Sequence, residues 1–275
     1  MRRFQLLGLS LLGGILATAS AARADLIPVA SYGFQNTFAA DQSGVPALTA
    51  VDPLGTSKFV TDTLYGQTRQ VYNFTGQTTP ANQSGLTVST TGLISPTVYS
   101  VATVFEFDAA AGWRRIIDVQ NRQSDNGFYV NPSNNLDVFP VAGGSNAFSA
   151  GVYHSVVLTV SSGTVNAYLD GVLQFTSTSN HIMDITDTTD NPNNLMGFFL
   201  DNLVGGGQGE YSTGKVGLIQ LYNGVLDQPQ ITTLATNPFG AVPEPTSIAL
   251  MGLGAVGLMV GVRRRTRRTK AEPSA

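Results

Sequence analysis

The stretch from Val152 to Phe175 constrains the fold more than any other part of the chain. Two runs of apolar residues at every second position flank a turn-forming sequence at 161–163: Val156, Leu158 and Val160, then Val165, Ala167 and Leu169. A spacing of two places side chains on one face of a β-strand. Asp170 and Gly171 follow, and an Asp-Gly pair between apolar runs indicates a hairpin turn with positive φ at both positions. The stretch therefore predicts three consecutive antiparallel strands and an all-β core.

The same stretch carries motifs that resemble a known family. Tyr153 and His154 precede the first strand, and the second strand ends in the sequence Tyr-Leu-Asp-Gly at 168–171. This pattern resembles the central part of laminin-G-like (concanavalin A-like) jelly-roll domains, in which a tryptophan usually stands where this chain has Tyr153. Residues 214–226 resemble the last strand of such domains. The resemblance implies one antiparallel jelly-roll β-sandwich over residues 25–235.

Charge and cysteine content exclude several function classes. Between Asp25 and Val242 there are six Lys and Arg against 16 Asp and Glu, a net charge of −10. An acidic body repels nucleic acid and anionic lipid, so nucleic acid is not expected as a partner. The chain has no Cys, which excludes disulfides, Cys-ligated zinc and a cysteine nucleophile.

The N-terminus has the pattern of a secretory signal peptide over residues 1–24. Arg2 and Arg3 form a positive start, and a mostly apolar run extends from Phe4 to Ala17. Ala22 and Ala24 then satisfy the small-x-small rule, which predicts cleavage before Asp25. The alternative is an uncleaved membrane anchor, but the apolar run is short. Export through the general secretory route is expected.

The C-terminus is the most specific functional signal. Three parts follow one another: the motif Pro243, Glu244, Pro245, then an apolar run over Thr246–Val262, then an Arg cluster that begins with Arg263, Arg264 and Arg265. Seventeen helical residues span about 25 Å, enough for a thin bilayer core, and the arginines favour a cytoplasmic end. Residues 242–270, joined to the sandwich by a linker at 236–241, resemble the PEP-CTERM sorting signal. The alternative is an ordinary tail anchor.

The PEP-CTERM resemblance also implies a partner and a location. In that family an exosortase-type enzyme cleaves at or near the Pro-Glu-Pro motif. The protein is expected to be anchored for a time in the inner membrane through its C-terminal helix. It then reaches the cell surface or the extracellular matrix.

Candidate catalytic residues are few. Glu106 and Asp108 are two apart on a predicted strand, so both carboxylates share one face, as in sugar hydrolases of this fold. The glucanase pattern needs a further Glu shortly afterwards, where this chain has three alanines at 109–111, so a solvated strand end is favoured. His154 is expected to be structural, His181 is isolated, and no Ser lies in a Gly-x-Ser-x-Gly motif.

Oxygen ligands for Ca²⁺ are the better possibility. Asp201, Asn202 and Glu210 flank a Gly-rich loop, and some laminin-G-like domains carry Ca²⁺ at the corresponding rim. Two rival clusters exist, which are Asp125 with Asn126 and the series Asp184, Asp187 and Asp190. Solvated loop acids are the commoner explanation for each cluster. Trp113, the single Trp, is either a half-buried strand residue or a platform for a sugar ring.

The sequence therefore predicts an exported surface or matrix protein with a laminin-G-like module that binds exopolysaccharide, another surface glycan or a protein. The alternatives are a glycoside hydrolase or lyase on the same fold and a purely structural matrix protein. A second carboxylate about 5–10 Å from Glu106 across a groove would favour the hydrolase. A lone, exposed Glu106 would favour binding without catalysis.

Overall fold

The computed structural model describes residues 25–185, 191, 194–204 and 209–240. The described chain contains 15 β-strands and one α-helix, numbered here in chain order. The first eight strands are β1 Ala30–Tyr32, β2 Thr49–Val51, β3 Lys58–Leu64, β4 Gln67–Phe74, β5 Gly85–Ser89, β6 Val98–Phe107, β7 Arg114–Asp118 and β8 Gly127–Val130. The remaining elements are β9 Asn135–Phe139, β10 Ala142–Ala147, β11 His154–Ser161, β12 Thr164–Leu169, β13 Val172–Ser177, β14 Leu195–Phe198, β15 Gly214–Tyr222 and α1 Gln228–Thr236. A short 3₁₀ turn lies at Pro80–Asn82.

The strands form two antiparallel sheets that pack face to face, which confirms the predicted jelly-roll sandwich. Sheet A has the order β13-β12-β11-β6-β15-β4-β3, and β1 pairs with β15. Sheet B has the order β10-β9-β8-β7-β14-β5-β2. Strands distant in sequence lie side by side in both sheets, so the fold depends on long-range pairing.

The hairpins predicted from Val152–Phe175 are present as β11, β12 and β13. Strand β11 pairs with β12 from Val156 opposite Leu169 to Ser161 opposite Thr164. Asp170 and Gly171 have φ values of 50° and 82°, the left-handed conformations that this turn requires. The other edge of β11 pairs with β6, so β11 and β12 lie inside the sheet and β13 forms its edge.

The core between the sheets is rich in aromatic rings. Phe74 stacks on Phe199 with a centroid distance of 4.3 Å, and Phe105 stacks on Phe148 at 5.3 Å. All four side chains are buried. Each fully buried ring of this size contributes about 1.5–3 kcal/mol relative to an exposed position, so this cluster is a main source of stability.

Helix α1 covers part of the outer face of sheet A. It begins at Asp227, whose carboxylate accepts the backbone N–H of Gln230 in a capping box. Ile231 and Leu234 pack against Ala102 of β6 and neighbouring residues of the same sheet. None of the described helices is long and apolar enough to cross a membrane. The predicted sorting helix at 246–262 lies outside the described residues.

Candidate functional site

Strands β7 and β8 place two large polar side chains, Arg115 and Tyr129, on the outer face of sheet B. Both neighbours of Tyr129 in β8 are core residues, so its ring points outward. In β7 the pairing register shifts between Arg115 and Ile117, and both isoleucines after Arg115 reach the core. This β-bulge turns the guanidinium of Arg115 towards the loops that cover the sheet.

The guanidinium of Arg115 is fully buried. Its Nη1 donates to Asp118 Oδ2 at 2.7 Å, and neither side chain is exposed. Further N–H groups donate to the carbonyls of Ser124 and Asp125 at 3.1 and 3.0 Å, and the group lies over the ring of Tyr129 at 4.8 Å. A buried charge of this kind is stable only with such partners.

The structure brings the predicted metal ligands together beside this guanidinium. Asp201 is fully buried, and its carboxylate accepts the backbone N–H groups of Asn202, Gly209 and Glu210 at 2.7, 2.8 and 3.1 Å. Asn202 donates through Nδ2 to Asp125 Oδ1 at 3.1 Å. Asp201 therefore holds both ends of the Gly-rich loop and positions Glu210.

Glu210 has an unusual environment. The residue is only 7% exposed, and its Oε2 accepts no hydrogen bond. Arg115 Nη2 lies 3.8 Å from that oxygen, too far for a hydrogen bond. Burial, and then the charges of Asp125 and Asp201, raise the pKa of Glu210 to about 8. The carboxyl is thus mainly protonated at neutral pH and can donate as well as accept.

Glu210 opens into a cavity of about 410 Å³ at the rim of the sandwich. This rim pocket is lined by aromatic and charged side chains and by small residues: Trp113, Arg114, Asp125, Phe139 and Glu210, with Ala111, Gly112 and Gly209. Trp113 packs edge-to-face on Tyr129 and Phe139 at 5.5 and 5.2 Å. Arg114 donates to the carbonyls of Trp113 and Ala109 at 2.7 and 3.3 Å, so its head group is held against the wall.

The described residues do not fit a calcium ion at this point. The oxygens of Asp201 already accept three backbone N–H groups, and Arg115 supplies positive charge to Asp125 and Glu210. Two buried oxygens lack a hydrogen-bond partner, one each on Asn202 and Glu210, whereas Ca²⁺ takes six to eight oxygen ligands. Within the ranges that the structure covers, no group of three His, Cys, Asp or Glu is arranged to hold a metal. Calcium at the rim stays a prediction.

The rival clusters differ in place. Asp125 belongs to the rim pocket, and its neighbour Asn126 donates a backbone N–H to Ser124 Oγ at 3.1 Å. Asp184 Oδ2 forms a hydrogen bond with His181 Nδ1 at 2.7 Å, so His181 is paired rather than isolated. The other two acids of that series, Asp187 and Asp190, lie outside the described residues.

Sequence reasoning missed Arg115. The available signal was a short strand in which two isoleucines separate Arg115 from Asp118, three positions later. Both residues lie on β7, and a buried strand holds a charge only when a partner is close. That pattern indicates a buried ion pair.

A second, larger cavity of about 870 Å³ lies on the outer face of sheet A. This sheet-A groove contains Asp62 on β3, Glu106 on β6, Lys215 on β15 and Tyr153. Lys215 Nζ donates to Asp62 Oδ2 and to Glu106 Oε1, both at 2.7 Å. Asp62 Oδ2 and Glu106 Oε1 each lie 2.7 Å from Lys215 Nζ, so the distance between these two oxygens is at most twice 2.7 Å. Glu106 is therefore buried and paired, not lone and exposed.

Protonation in the sheet-A groove is governed by Lys215. Burial would raise the pKa of Asp62, but hydrogen bonds from Lys215, Thr63 and Tyr153 outweigh it, and the pKa is lowered. The same carboxylates outweigh desolvation at Lys215 and raise the pKa of its ammonium. Lys215 thus bridges Asp62 and Glu106 through a hydrogen bond to each. Asp108, two residues after Glu106, is exposed.

His154 connects two segments of the chain at the end of the sheet-A groove. Its Nδ1 pairs with Asp170 Oδ2 at 2.7 Å, and its ring packs on Phe148 at 4.4 Å. Asp170 Oδ1 also accepts the backbone N–H of Ser155 at 2.9 Å. These contacts tie the Asp-Gly turn to the start of β11, which is a structural role.

The site residues of the two chain ends are not placed by the structure. The predicted cleavage residues Ala22 and Ala24 lie outside the described residues. So do the sorting residues Pro243, Glu244, Pro245, Arg263, Arg264 and Arg265.

The sheet order and the β11–β13 hairpins agree with a family match over residues 80–232, more than half of the chain. The matching family model describes the concanavalin A-like lectin/glucanases superfamily, in its laminin-G form. The chain belongs to this superfamily. The match begins at the 3₁₀ turn before β5 and ends within α1, so it includes both the rim pocket and most of the sheet-A groove.

A second family model, the PEP-CTERM protein-sorting motif, matches residues 241–265 beyond this concanavalin A-like domain. The match confirms the predicted sorting signal. It identifies an exported protein that is processed by an exosortase-type system and sorted at the membrane. A search of curated proteins gives no match.

Solved structures share the fold of this concanavalin A-like domain at low identity. Domain 4 of AbnA, a GH43 extracellular arabinanase from Geobacillus stearothermophilus solved with arabinotriose, is 18% identical, with 77% of this chain and 98% of that chain covered and a TM-score of 0.58. The binding domain of Paraclostridial Mosquitocidal Protein 1 is 13% identical, with 78% and 53% covered and a TM-score of 0.53. At such identities the likeness shows the fold alone.

Proposed function

We propose that the domain is a glycan-binding module and that a sugar occupies the rim pocket. The observation that carries this proposal is the rim pocket, in which Trp113, Phe139 and Glu210 line one cavity and the buried Oε2 of Glu210 accepts no hydrogen bond. An unsatisfied buried oxygen costs about 1–3 kcal/mol. A ligand hydroxyl that donates to Glu210 would recover that free energy.

The lining suits a sugar ring in both its apolar and its polar parts. The faces of Trp113 and Phe139 offer flat apolar surface for the C–H face of a sugar. The carboxyl of Glu210 is protonated at neutral pH, so it can donate to one hydroxyl and accept from another. Asp125 has a partly exposed carboxylate that accepts further hydroxyl hydrogens. A cavity of about 410 Å³ holds one or two sugar units.

The fold supports the proposal in a general way. The AbnA domain, which superposes on most of this chain, belongs to an arabinanase and was solved in complex with arabinotriose. An arabinan oligosaccharide therefore belongs among the first ligands to test. Other extracellular glycans belong in the same panel.

The single tryptophan makes the test site-specific. Tryptophan fluorescence of residues 25–240 reports only on Trp113, because the chain contains one Trp. We expect one class of oligosaccharide to change this emission with saturation. Glu210→Ala is expected to weaken binding about tenfold or more, since a hydrogen bond to a buried group contributes about 1–3 kcal/mol.

Two variants locate the binding. Trp113→Ala, followed by calorimetry because the fluorophore is lost, should abolish binding, while Glu106→Gln in the sheet-A groove should leave it unchanged. If Glu106→Gln removes binding and Trp113→Ala does not, the sugar lies in the groove. No response to any oligosaccharide would contradict the proposal.

A second candidate is a glycoside hydrolase in the sheet-A groove. Asp62 and Glu106 converge on one lysine, within the separation that retaining enzymes use. Lys215 opposes this function, because its ammonium donates to both carboxylates and, against the effect of burial, lowers the pKa of Asp62, which disfavours a general acid there. We therefore infer binding without hydrolysis. Release of reducing sugar that Glu106→Gln abolishes would establish the hydrolase instead.

A further inference from the structure

The chain stays packed against the sandwich almost up to the sorting signal. The ring of Phe239 lies 4.0 Å from the guanidinium of Arg69 and 6.2 Å from the ring of Tyr65. It also packs against the apolar cluster of Leu64, Val71, Val104 and Leu218 on the outer face of sheet A. A ring clamped by a cation, an aromatic edge and a buried cluster is a firm attachment. We refer to this contact as the Phe239 clamp.

Backbone hydrogen bonds continue the attachment on both sides of the clamp. Asn237 donates its N–H to the carbonyl of Thr233 at 2.8 Å, which caps helix α1. Gly240 donates its N–H to the carbonyl of Asn237 at 3.1 Å, which closes a turn around Phe239. The predicted linker at 236–241 is therefore folded onto the domain through Gly240.

The distance from this turn to the cleavage motif is short. The sorting-motif match begins at residue 241, and Pro243 is three residues beyond Gly240. An extended chain spans at most about 3.6 Å per residue, so Pro243 lies within about 11 Å of Gly240. Whatever enzyme cuts at this motif must work beside the folded sandwich.

The N-terminal end of the domain meets the same surface. One cavity of about 410 Å³ is lined by residues near both ends of the described chain, Pro28 at one end and Pro238 and Gly240 at the other. Asp41, Gln42 and Arg69 complete its wall. Ile27, just before Pro28, is 61% exposed. We call the surface formed by these residues the terminal face. The predicted signal peptide ends only a few residues before Pro28, so both membrane-targeting segments join the sandwich here.

We propose that the terminal face lies against the bilayer while the precursor is anchored, and that the Phe239 clamp limits how fast the sorting signal is cut. A tether shorter than the span it must cover lowers the effective concentration of its two ends, and lengthening raises that concentration. With the clamp closed, the tether starts at Gly240. With the clamp open, it starts near Thr236, which adds four residues and about 14 Å.

The first experiment follows processing in cells that carry the native sorting system. The full chain is pulse-labelled, and conversion of the membrane-bound precursor is timed. Ten Gly and Ser residues inserted between Gly240 and Ala241 are expected to speed conversion several-fold. Phe239→Ala should act in the same direction with a smaller effect. An unchanged or slower rate in both variants would overturn the proposal.

The matched control is Phe175→Ala on β13. Phe175 is also partly buried and packs on the main core, but it lies on the opposite edge of sheet A from β3. Its loss should cost stability without speeding processing. If Phe175→Ala accelerates conversion as much as Phe239→Ala does, general loosening of the fold explains the rate, and the clamp does not.

A second measurement tests the orientation independently of rate. The chain has no native Cys, so a single cysteine can carry a photocrosslinker. Ser43→Cys is exposed beside Gln42 on the terminal face, and Ser133→Cys is exposed in the β8–β9 turn of sheet B. We expect crosslinks to lipid from position 43 and none from position 133 in the precursor. Equal crosslinking from both positions would overturn the orientation.

Discussion

At the residue scale, the protonation of Glu210 sets a pH dependence of stability. Burial first, and the charges of Asp125 and Asp201 next, raise its pKa from 4.5 to about 8. Between those values the folded state binds the proton and the unfolded state does not, so the free energy of unfolding falls as pH rises. Below pH 4.5 both states are protonated, and above pH 8 neither is. Burial also raises the pKa of Asp118, which acts in the same direction.

Urea unfolding between pH 5 and 9 measures this effect. We expect Glu210→Gln to reduce the slope between pH 6 and 8, by at most the ~1.4 kcal/mol per pH unit that one proton allows. Stability above pH 8 should rise, because the variant buries no charge. Asp108→Asn, a change at an exposed acid, is the control and should leave the slope unchanged. Equal slopes in Glu210→Gln and the unsubstituted protein would contradict the assigned environment.

The residue scale is also where the sequence predicted least. Asp201, Asn202 and Glu210 were expected to converge, and they do, but the group at their centre is Arg115. Spacing along the chain shows which acids flank a loop. It does not show that a bulge in β7 turns a guanidinium towards them, because the bulge depends on pairing with β8.

At the element scale, the Asp-Gly turn between β12 and β13 makes a contact that no local pattern predicts. Gly171 has φ +82°, and a Cβ added there would lie 3.1 Å from the Cβ of Ala235 on helix α1. Gly92 has nearly the same φ, +76°, but nothing lies within 4 Å of its added Cβ. The two glycines therefore separate backbone strain from packing.

We expect Gly92→Ala to cost about 1 kcal/mol, the strain of an alanine in the left-handed region. Gly171→Ala should cost about 1–3 kcal/mol more, because the turn must move away from helix α1. Chemical denaturation of both variants measures the difference. Equal losses would mean that the helix yields without cost and that its packing on the turn is loose.

Strands inside a sheet were predicted well, and two of the edge strands were not. Strands β6, β11 and β12 alternate apolar and polar residues and have neighbours on both sides. Strands β3 and β10 lie at sheet edges and are mostly polar or Gly-rich, so their sequences resemble loops. Their pairing is decided by a neighbouring strand rather than by their own pattern.

At the scale of the whole molecule, the β-rich domain and the sorting signal after it were predictable because each has its own physical signature. A positive start with an apolar run, a β-rich acidic body and a Pro-Glu-Pro motif before a second apolar run are separable in composition. Their spatial relation was not predictable. Contact between the two ends of the domain at the terminal face depends on β1 pairing with β15 and on Phe239 packing under Arg69.

The response of the whole domain to calcium decides whether the rim needs a metal. A ligand that binds only the folded state raises stability by about 2.7 kcal/mol at a hundredfold excess over Kd. We expect the thermal midpoint of residues 25–240 to be the same with EDTA and with excess Ca²⁺, because Arg115 already supplies positive charge to Asp125 and Glu210. A rise in midpoint that Glu210→Gln abolishes would contradict this expectation and place calcium at the rim. A rise that persists in Glu210→Gln would place it elsewhere, and Mg²⁺ at the same ionic strength controls for general screening by salt.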